Sequence, residues 1–203
     1  MTTATQPLTP AATSHWRRFR TLYLLIAVCT APVIASYLMY YVFPPGGRTN
    51  YGDLIVPQRP TPALALQRPD GTAFDLKQLR GSWLMVKVDG ADCAESCRKQ
   101  LWLMRQLRTM QGKDADRIER VFLVTGEAPL AEALLREVEG TVVLRARRAE
   151  LEGFLPAADG ARREDHIFLI DPLGNLMLRW PNEADPSRMK RDLGKLLKAS
   201  RIG

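Results

Sequence analysis

The sequence predicts an α/β domain, a mixed central sheet flanked by helices, preceded by one N-terminal transmembrane helix. Residues 21–43 form an apolar run without a charged residue, which is long enough to cross a bilayer as a helix. From residue 62 onward, short apolar runs typical of buried strands alternate with amphipathic helical runs. Two late apolar runs, joined by the turn Asp171–Asn175, predict a hairpin that adds an antiparallel edge to a mostly parallel sheet.

The residues before the apolar run predict its orientation. Residues 1–20 contain three arginines and no acidic residue. Because basic residues stay on the cytoplasmic side of a membrane helix, we expect a disordered cytoplasmic tail over residues 1–20 and a single-pass anchor over residues 21–43. The rest of the chain would then lie in the periplasm, with the anchor in a bacterial inner membrane. A cleavable signal peptide is the alternative, but the apolar run continues past the candidate cleavage site near Ala35.

The remaining residues divide into a linker and a domain. Residues 44–61 hold several prolines and glycines and predict a linker, and residues 62–203 form the predicted extracytoplasmic domain. Its strands are predicted at residues 63–66, 73–76, 83–88, 121–125, 142–144, 167–170 and 176–180. Its helices are predicted at residues 92–110, 129–138, 148–154 and 186–198.

Two cysteines lie at the first long strand-to-helix junction. If the helix has begun at Cys93, residues four apart share one face, so the sulfurs of Cys93 and Cys97 point to the same side. A helix N-terminus favours negative charge and thereby a thiolate. A cysteine pair at this junction of an alternating strand and helix pattern predicts a thioredoxin-like fold for residues 62–203.

The charge of the chain argues against nucleic-acid binding. The 29 Lys and Arg residues exceed the 22 Asp and Glu residues, for a formal net charge of +7. The excess is spread along the chain, and the short run Arg145–Arg148 has no aromatic residue between its arginines for base stacking. We therefore expect no nucleic-acid partner, and contact with the lipid bilayer only through residues 21–43.

A single histidine in the predicted domain completes a possible metal site. The loop that enters the strand at residues 167–170 passes beside the first helix N-terminus in a thioredoxin-like sheet, so His166 is expected near Cys93 and Cys97. Two thiolates and one imidazole suit copper, as Cu(I) or Cu(II). A structural zinc site would need a fourth protein ligand, and none is obvious. The predicted metal ligands are therefore Cys93, Cys97 and His166.

The cysteines leave two further interpretations open. They could cycle between dithiol and disulfide, as the catalytic pair of an oxidoreductase; ideal helical spacing is marginal for this bond, so the first helical turn would have to distort. They could instead form a structural disulfide or remain as two buried thiols. Such a bridge forms easily outside the cytoplasm, but closing a loop of this size stabilises a fold little.

These residues resemble the SCO/SenC family of copper chaperones over about residues 60–198. The resemblance is carried by Cys93-x-x-x-Cys97 after a buried strand, by Asp165-His166 and by the string Phe168–Gly174. It implies a metallochaperone, more than an enzyme, that binds copper through Cys93, Cys97 and His166. It also implies a role in assembling the copper centre of cytochrome c oxidase, with subunit II and a second copper chaperone as expected partners. A periplasmic thiol–disulfide oxidoreductase that transfers no metal is the alternative.

Overall fold

The N-terminal unit of the protein is one apolar helix. The computed structural model describes residues 15–42, 50–200 and 202, and the chain divides into two compact units between residues 48 and 49. Helix α1 spans His15–Tyr41. Its segment Phe19–Tyr41, 23 residues with a mean hydropathy of 2.0, is long and apolar enough to cross a membrane by length and composition.

Part of the predicted N-terminal tail is helical. The tail was expected to be disordered over residues 1–20, but α1 begins at His15, so residues 15–20 extend the apolar helix. The rest of that prediction, over residues 1–14, lies outside the described residues. The predicted anchor at residues 21–43 coincides with α1 as far as Tyr41.

The second unit is a mixed sheet with helices against it. Its strands are β1 Asp53–Pro60, β2 Leu66–Gln67, β3 Ala73–Phe74, β4 Trp83–Gly90, β5 Ile118–Thr125, β6 Val142–Ala146, β7 Ile167–Ile170 and β8 Asn175–Trp180. Its α-helices are α2 Glu95–Thr109, α3 Glu132–Glu137, α4 Arg148–Phe154 and α5 Pro186–Ala199.

The sheet has the order β1-β8-β7-β4-β5-β6-β2-β3. The centre is parallel, because β4 pairs with β5 and β5 pairs with β6 in the same direction. The hairpin of β7 and β8 joins β4 antiparallel, as the late apolar runs predicted. The predicted mixed sheet flanked by helices is therefore confirmed.

The central strands are buried on both faces. Side chains alternate along β4, so Trp83 and Met85 pack with α2 and α5 on one face of the sheet, whereas Leu84 and Val86 pack with α4 on the other. This is why β4 reads in the sequence as a continuous apolar run rather than an alternating one. The two faces matter for function, because the cysteines lie on the α2 face.

Strand β1 corrects the interpretation of residues 44–61 as a linker. Asp53–Pro60 pairs antiparallel with β8 at one edge of the sheet. Within β1, Ile55 is buried and nearly all the other side chains are exposed, so no periodic pattern marks the strand. Its prolines suggested a break, but an edge strand tolerates proline because one side of its backbone needs no partner strand. Residues 44–49 of the predicted linker lie outside the described residues.

Candidate redox site at the start of helix α2

The structure joins the two cysteines that the sequence singled out. Cys93 and Cys97 form a disulfide where β4 leads into α2, with their Cα atoms 5.2 Å apart. The two residues are 0% and 1% exposed. They belong to one apolar cluster with Leu101 of α2 and Ile167 of β7. The sulfur pair is therefore preassembled and covered.

Helix α2 begins later than predicted. The helix starts at Glu95, so Cys93 lies outside it and Cys97 is its third residue. Cys93 has a φ of +31°, in the left-handed region, which costs an L-residue about 1–2 kcal/mol. The expectation that one helical face carries both cysteines is wrong in detail, because the chain turns before the helix begins. The expected distortion of the first turn is present.

Lys87 places a buried cation on the same face of the sheet. This β4 residue follows Met85 by two positions, and its side chain is 1% exposed. Its Nζ donates to the carbonyl oxygen of Glu164 and lies 3.2 Å from Oδ2 of Asp89. Burial lowers the pKa of Lys87 below its ordinary value, and Asp89 opposes that shift. The ammonium of Lys87 is therefore held by Asp89 and by the carbonyl oxygen of Glu164.

The loop before β7 passes beside α2, as the predicted fold required. Gln100 is buried one turn beyond Cys97, and its Nε2 donates to the carbonyl oxygen of Asp165 at 3.1 Å. The same Nε2 donates to Oδ1 of Asn182 at 3.1 Å. Gln100 thereby ties the helix that carries Cys97 to two loops of the opposite hairpin.

His166 nevertheless faces away from the disulfide. Along β7, Ile167 lies in the cluster that contains the cysteines, and Phe168 lies in the cluster on the other face. The imidazole of His166 packs against the ring of Phe168, with centroids 5.8 Å apart. Because strand side chains alternate, the residue two positions before Phe168 shares its face. The loop is where the sequence predicted it, but the side chain points to the opposite side.

Both nitrogens of His166 already have backbone partners. Nε2 accepts the N–H of Ala158 at 3.1 Å, so it carries no proton, and Nδ1 therefore carries the proton that faces the carbonyl oxygen of Trp180, also at 3.1 Å. Burial lowers the pKa of His166, although the bond to Trp180 opposes the shift. The residue is a neutral, buried bridge between β7, β8 and the segment after α4.

The predicted metal ligands are not assembled. Across residues 15–42, 50–200 and 202, no three His, Cys, Asp or Glu side chains are grouped so as to hold a metal ion. Cys93 and Cys97 are brought together as a disulfide, and His166 would have to leave its two backbone partners to join them. The residues in this arrangement do not fit a three-ligand copper site.

Two residues of this region were missed at the sequence level. Lys87 carries a charge in the middle of the apolar run Trp83–Val88. A charged residue in a strand that is buried on both faces needs a partner, and this was the signal in the sequence that could have identified Lys87. Gln100 offered a weaker signal, because a polar residue three positions after Cys97 shares its helical face.

Comparisons with known proteins agree with the fold. Residues 83–200 match the model of a family described as a transmembrane-like, thioredoxin-like, C-terminal domain. No curated protein sequence matches the chain significantly.

Solved structures with the same fold include redox and copper proteins. A thiol:disulfide interchange protein from Bacteroides sp. is 16% identical with a TM-score of 0.52, and covers 71% of this chain and 91% of its own. Yeast Sco1 with copper bound is 17% identical with a TM-score of 0.54, over 71% and 91% of the two chains. Arabidopsis thaliana ScoI with copper bound is 14% identical with a TM-score of 0.53, over 70% and 99%. At these identities the likeness is one of fold.

The predicted thioredoxin-like fold is confirmed by these matches, and the family match spans more than half of the chain, from β4 through α5. The disulfide, the start of α2 and the hairpin of β7 and β8 all fall within it. The chain belongs to the family of transmembrane-like, thioredoxin-like C-terminal domains.

Proposed function

We propose that the protein is a membrane-anchored thiol–disulfide redox protein whose active pair is Cys93 and Cys97. The observation that carries the proposal is the disulfide itself, placed at the start of the first long helix of a thioredoxin-like domain. A thiolate generated there meets the positive end of the helix dipole.

The bridge is poorly suited to a purely structural role. Closing a loop of this length is worth about 2 kcal/mol in the chain-entropy description. The left-handed backbone at Cys93 costs about 1–2 kcal/mol, which offsets most of that gain. A disulfide that contributes little net stability can open and close without unfolding the domain.

The reaction is a reversible exchange with a dithiol protein. A partner thiolate attacks one sulfur of the bridge, the Cys93–Cys97 bond breaks, and a mixed disulfide forms between the two proteins. The partner's second thiolate then attacks the mixed disulfide. Two electrons pass to this chain, which gains two thiols, while the partner gains a disulfide; the reverse sequence reduces a partner disulfide.

Burial of the sulfurs implies local opening before exchange. Cys93 and Cys97 are almost fully covered, and residues 91–94 connect β4 to α2. We expect this connection to move aside when a partner docks, because a nucleophile has to approach along the sulfur–sulfur axis. Local opening of a short loop costs far less free energy than global unfolding.

The first test is a redox titration of the full chain in neutral detergent micelles. A Cys29→Ser background removes the exposed free thiol, so that Cys93 and Cys97 are the remaining cysteines. We expect both thiols to appear together in a reversible two-electron transition against a dithiothreitol buffer, counted by alkylation and mass. The far-ultraviolet circular dichroism should stay constant through the transition.

Single variants provide the control. In the Cys29→Ser background, Cys93→Ser and Cys97→Ser should each show one thiol at every redox potential and no exchange with a model dithiol. If the bridge in the Cys29→Ser protein is reduced only at urea concentrations that unfold the domain, the disulfide is structural and the redox proposal fails.

The expected setting is the periplasm of a bacterium. One helix is long and apolar enough to anchor the chain, and three arginines, Arg17, Arg18 and Arg20, precede the uncharged run that begins at residue 21. Under the positive-inside rule the domain lies outside the cytoplasm, where a disulfide persists. Protease digestion of a C-terminal tag in spheroplasts tests the orientation; a protected tag would contradict it.

Copper binding is a second candidate function. The observation that favours it is that yeast Sco1 and Arabidopsis ScoI, which share the fold, contain bound copper. Reduction of this chain would supply two thiolates, ligands that suit Cu(I). A third ligand from His166, and delivery to subunit II of cytochrome c oxidase with help from another copper chaperone, are part of this proposal. They require a rearranged loop before β7.

A competition experiment separates the two candidates. The reduced full chain is given one equivalent of Cu(I) under anaerobic conditions with a competing chelator. The copper candidate predicts one-to-one binding that is lost in Cys93→Ser or Cys97→Ser and is weakened at least tenfold in His166→Ala. Absence of binding above the chelator would exclude it and leave the redox function unaffected.

A further inference from the structure

A pocket of about 300 Å³ lies against the C-terminal half of α2, at a distance in sequence from the disulfide. It is lined by Arg105, Arg108, Thr109, Arg120, Glu139 and Gly140. Three of these side chains are guanidinium groups and one is a carboxylate. The redox site uses none of them.

Helical and strand periodicity bring the three arginines together. Arg105 and Arg108 are three positions apart in α2 and therefore share one face of the helix. Arg120 lies in β5 at an alternate position between Ile118 and Phe122, which pack into the cluster beneath α2. Arg120 is therefore a cation at an inward-facing position of β5, and its neighbours on that face, Ile118 and Phe122, are apolar.

The guanidinium of Arg120 is buried and incompletely paired. The residue is 6% exposed, and its Nη2 donates to the carbonyl oxygen of Glu139 at 3.0 Å. Its Nε is fully covered and meets no hydrogen-bond acceptor among the residues that the structure describes. A buried donor without an acceptor is uncommon in native proteins, and a water or a bound ion is one of the partners that can complete it.

Gly140 leaves room for the Arg120 side chain. A Cβ built on Gly140 would stand 3.0 Å from Nη2 of Arg120, and the glycine has a φ of +72°. A larger residue would be strained in this conformation and would crowd the guanidinium. The backbone turn before β6 therefore approaches Arg120 closely and forms one wall of the pocket.

The other two arginines are only lightly neutralised. Nε of Arg108 donates to the carbonyl oxygen of Ile118 at 2.8 Å, and its Nη2 lies 3.5 Å from the largely exposed carboxylate of Asp116. Arg105 is exposed at the mouth of the pocket. Burial, together with repulsion from Arg108 and Arg105, lowers the pKa of Arg120, although an arginine remains charged at neutral pH.

We propose that this pocket binds a phosphate group. Three guanidinium groups present several N–H donors in planar forks that match the oxygens of phosphate, whereas the hydroxyl of Thr109 at the same wall already donates to the carbonyl oxygen of Arg105 at 3.0 Å. An anion there would relieve the repulsion among the three cations, and the covered Nε of Arg120 would report its arrival through the shared guanidinium. The shared chemistry is a phosphate monoanion or dianion, held either as a free ion or small phosphate ester, or as the headgroup of an acidic phospholipid.

The test follows the Arg120 side chain directly. The full chain, labelled with ¹⁵N in neutral detergent micelles, is titrated with inorganic phosphate at constant ionic strength set by chloride. The Nε–Hε resonance of Arg120 is identified as the one missing from Arg120→Lys. We expect this resonance to shift saturably with phosphate. A second arm uses soluble dihexanoyl phosphatidylglycerol, with dihexanoyl phosphatidylcholine as the zwitterionic reference.

The arms identify the source of the phosphate, and charge-matched variants test the site. Saturation by inorganic phosphate indicates a free anion, whereas saturation by phosphatidylglycerol alone indicates a lipid headgroup. Arg105→Gln, at an exposed position, should weaken the binding about tenfold while the domain stays folded. Arg191→Gln, on the exposed side of α5, removes the same charge elsewhere and should leave it unchanged.

Two outcomes would overturn the proposal. In one, neither phosphate nor phosphatidylglycerol shifts the Arg120 resonance beyond the effect of chloride. In the other, Arg191→Gln weakens the response as much as Arg105→Gln, which would indicate a general effect of net charge. Neither outcome bears on the Cys93–Cys97 exchange, which is measured separately.

Discussion

Replacing Asp192 with alanine is expected to lower the free energy of unfolding of the domain by about 4 kcal/mol. Asp192 lies in α5 and is 2% exposed. Its carboxylate accepts the backbone N–H of Tyr51 and of Gly52, both at 2.9 Å to Oδ2, and the indole N–H of Trp180 at 3.3 Å. The substitution leaves these donors buried without an acceptor, and each such donor costs about 1–3 kcal/mol.

The large effect follows from the position of the carboxylate at a three-way junction. Asp192 joins the chain just before β1 to the end of β8 and to α5. The backbone at Gly52 is tightly packed, because an added Cβ would lie 2.8 Å from side-chain atoms of Leu178 and Trp180. The backbone N–H of Gly52 therefore has little room to move toward another acceptor. The loss of stability in Asp192→Ala should therefore lower the midpoint of urea denaturation and should also detach β1 from the edge of the sheet.

Urea denaturation of the full chain in detergent, followed by tryptophan fluorescence, measures this change. Lys190→Ala is the matched control, because Lys190 lies on the exposed side of the same helix and should change the free energy of unfolding by less than about 0.5 kcal/mol. A loss below about 1 kcal/mol in Asp192→Ala would show that water replaces the carboxylate and that the junction is open to solvent.

Asp89→Ala is expected to cost about 3 kcal/mol at neutral pH, whereas Lys87→Met should leave the free energy of unfolding unchanged or raise it. When the carboxylate is removed, the buried ammonium of Lys87 keeps its hydrogen bond to the carbonyl oxygen of Glu164 but loses its ion pair. Removing the ammonium instead places an unbranched apolar side chain at a buried strand position, and Asp89 can turn toward solvent because it is 22% exposed.

The pH dependence has a definite sign. Burial lowers the pKa of Lys87 in the folded protein below the ordinary value of 10.5, so the unfolded chain binds more protons between these two pKa values. Stability rises with pH wherever the unfolded state binds more protons. The free energy of unfolding contributed by Lys87 should therefore rise from the lowered pKa up to about pH 10.5, and Asp89→Ala should recover part of its loss there.

Denaturation curves between pH 7 and pH 10, in the Cys29→Ser background to prevent thiol exchange, test both statements. Lys87→Met should remove the alkaline rise. If the slope of stability against pH is the same with and without Lys87, the lysine is not the titrating group and its burial has no such consequence. Alkylation after each measurement checks that the Cys93–Cys97 bridge stayed closed.

The apolar runs of the sequence predicted the central strands, because a strand that is buried on both faces is apolar at nearly every position. Strands β4, β5 and β7 each contain a largely apolar run, and each lies within a few residues of its predicted bounds. β1 has no such apolar pattern, since nearly all its side chains face solvent and its position in the sheet depends on backbone pairing with β8. Edge pairing depends on what lies alongside a strand in space, which local patterning does not encode.

The same distinction applies to the candidate site. A cysteine pair at a strand-to-helix junction identified Cys93 and Cys97, and the fold joined them. The position of the loop that carries His166 also followed from the fold, but the direction of its side chain did not enter the sequence interpretation. Alternation with Phe168 contained that information, because two residues separated by one position on a strand share a face.

The sequence by itself determined the apolar N-terminal helix, the order of strands and helices from β4 through α5, and the cysteine pair, because each depends on local composition and spacing. Only the tertiary structure decided that Cys93 precedes the helix in a left-handed turn, that His166 faces away from the disulfide, and that three arginines surround one pocket. These features depend on which face each element presents to its neighbours. That choice is made by packing among elements distant in sequence, where burial of apolar surface outweighs local preference.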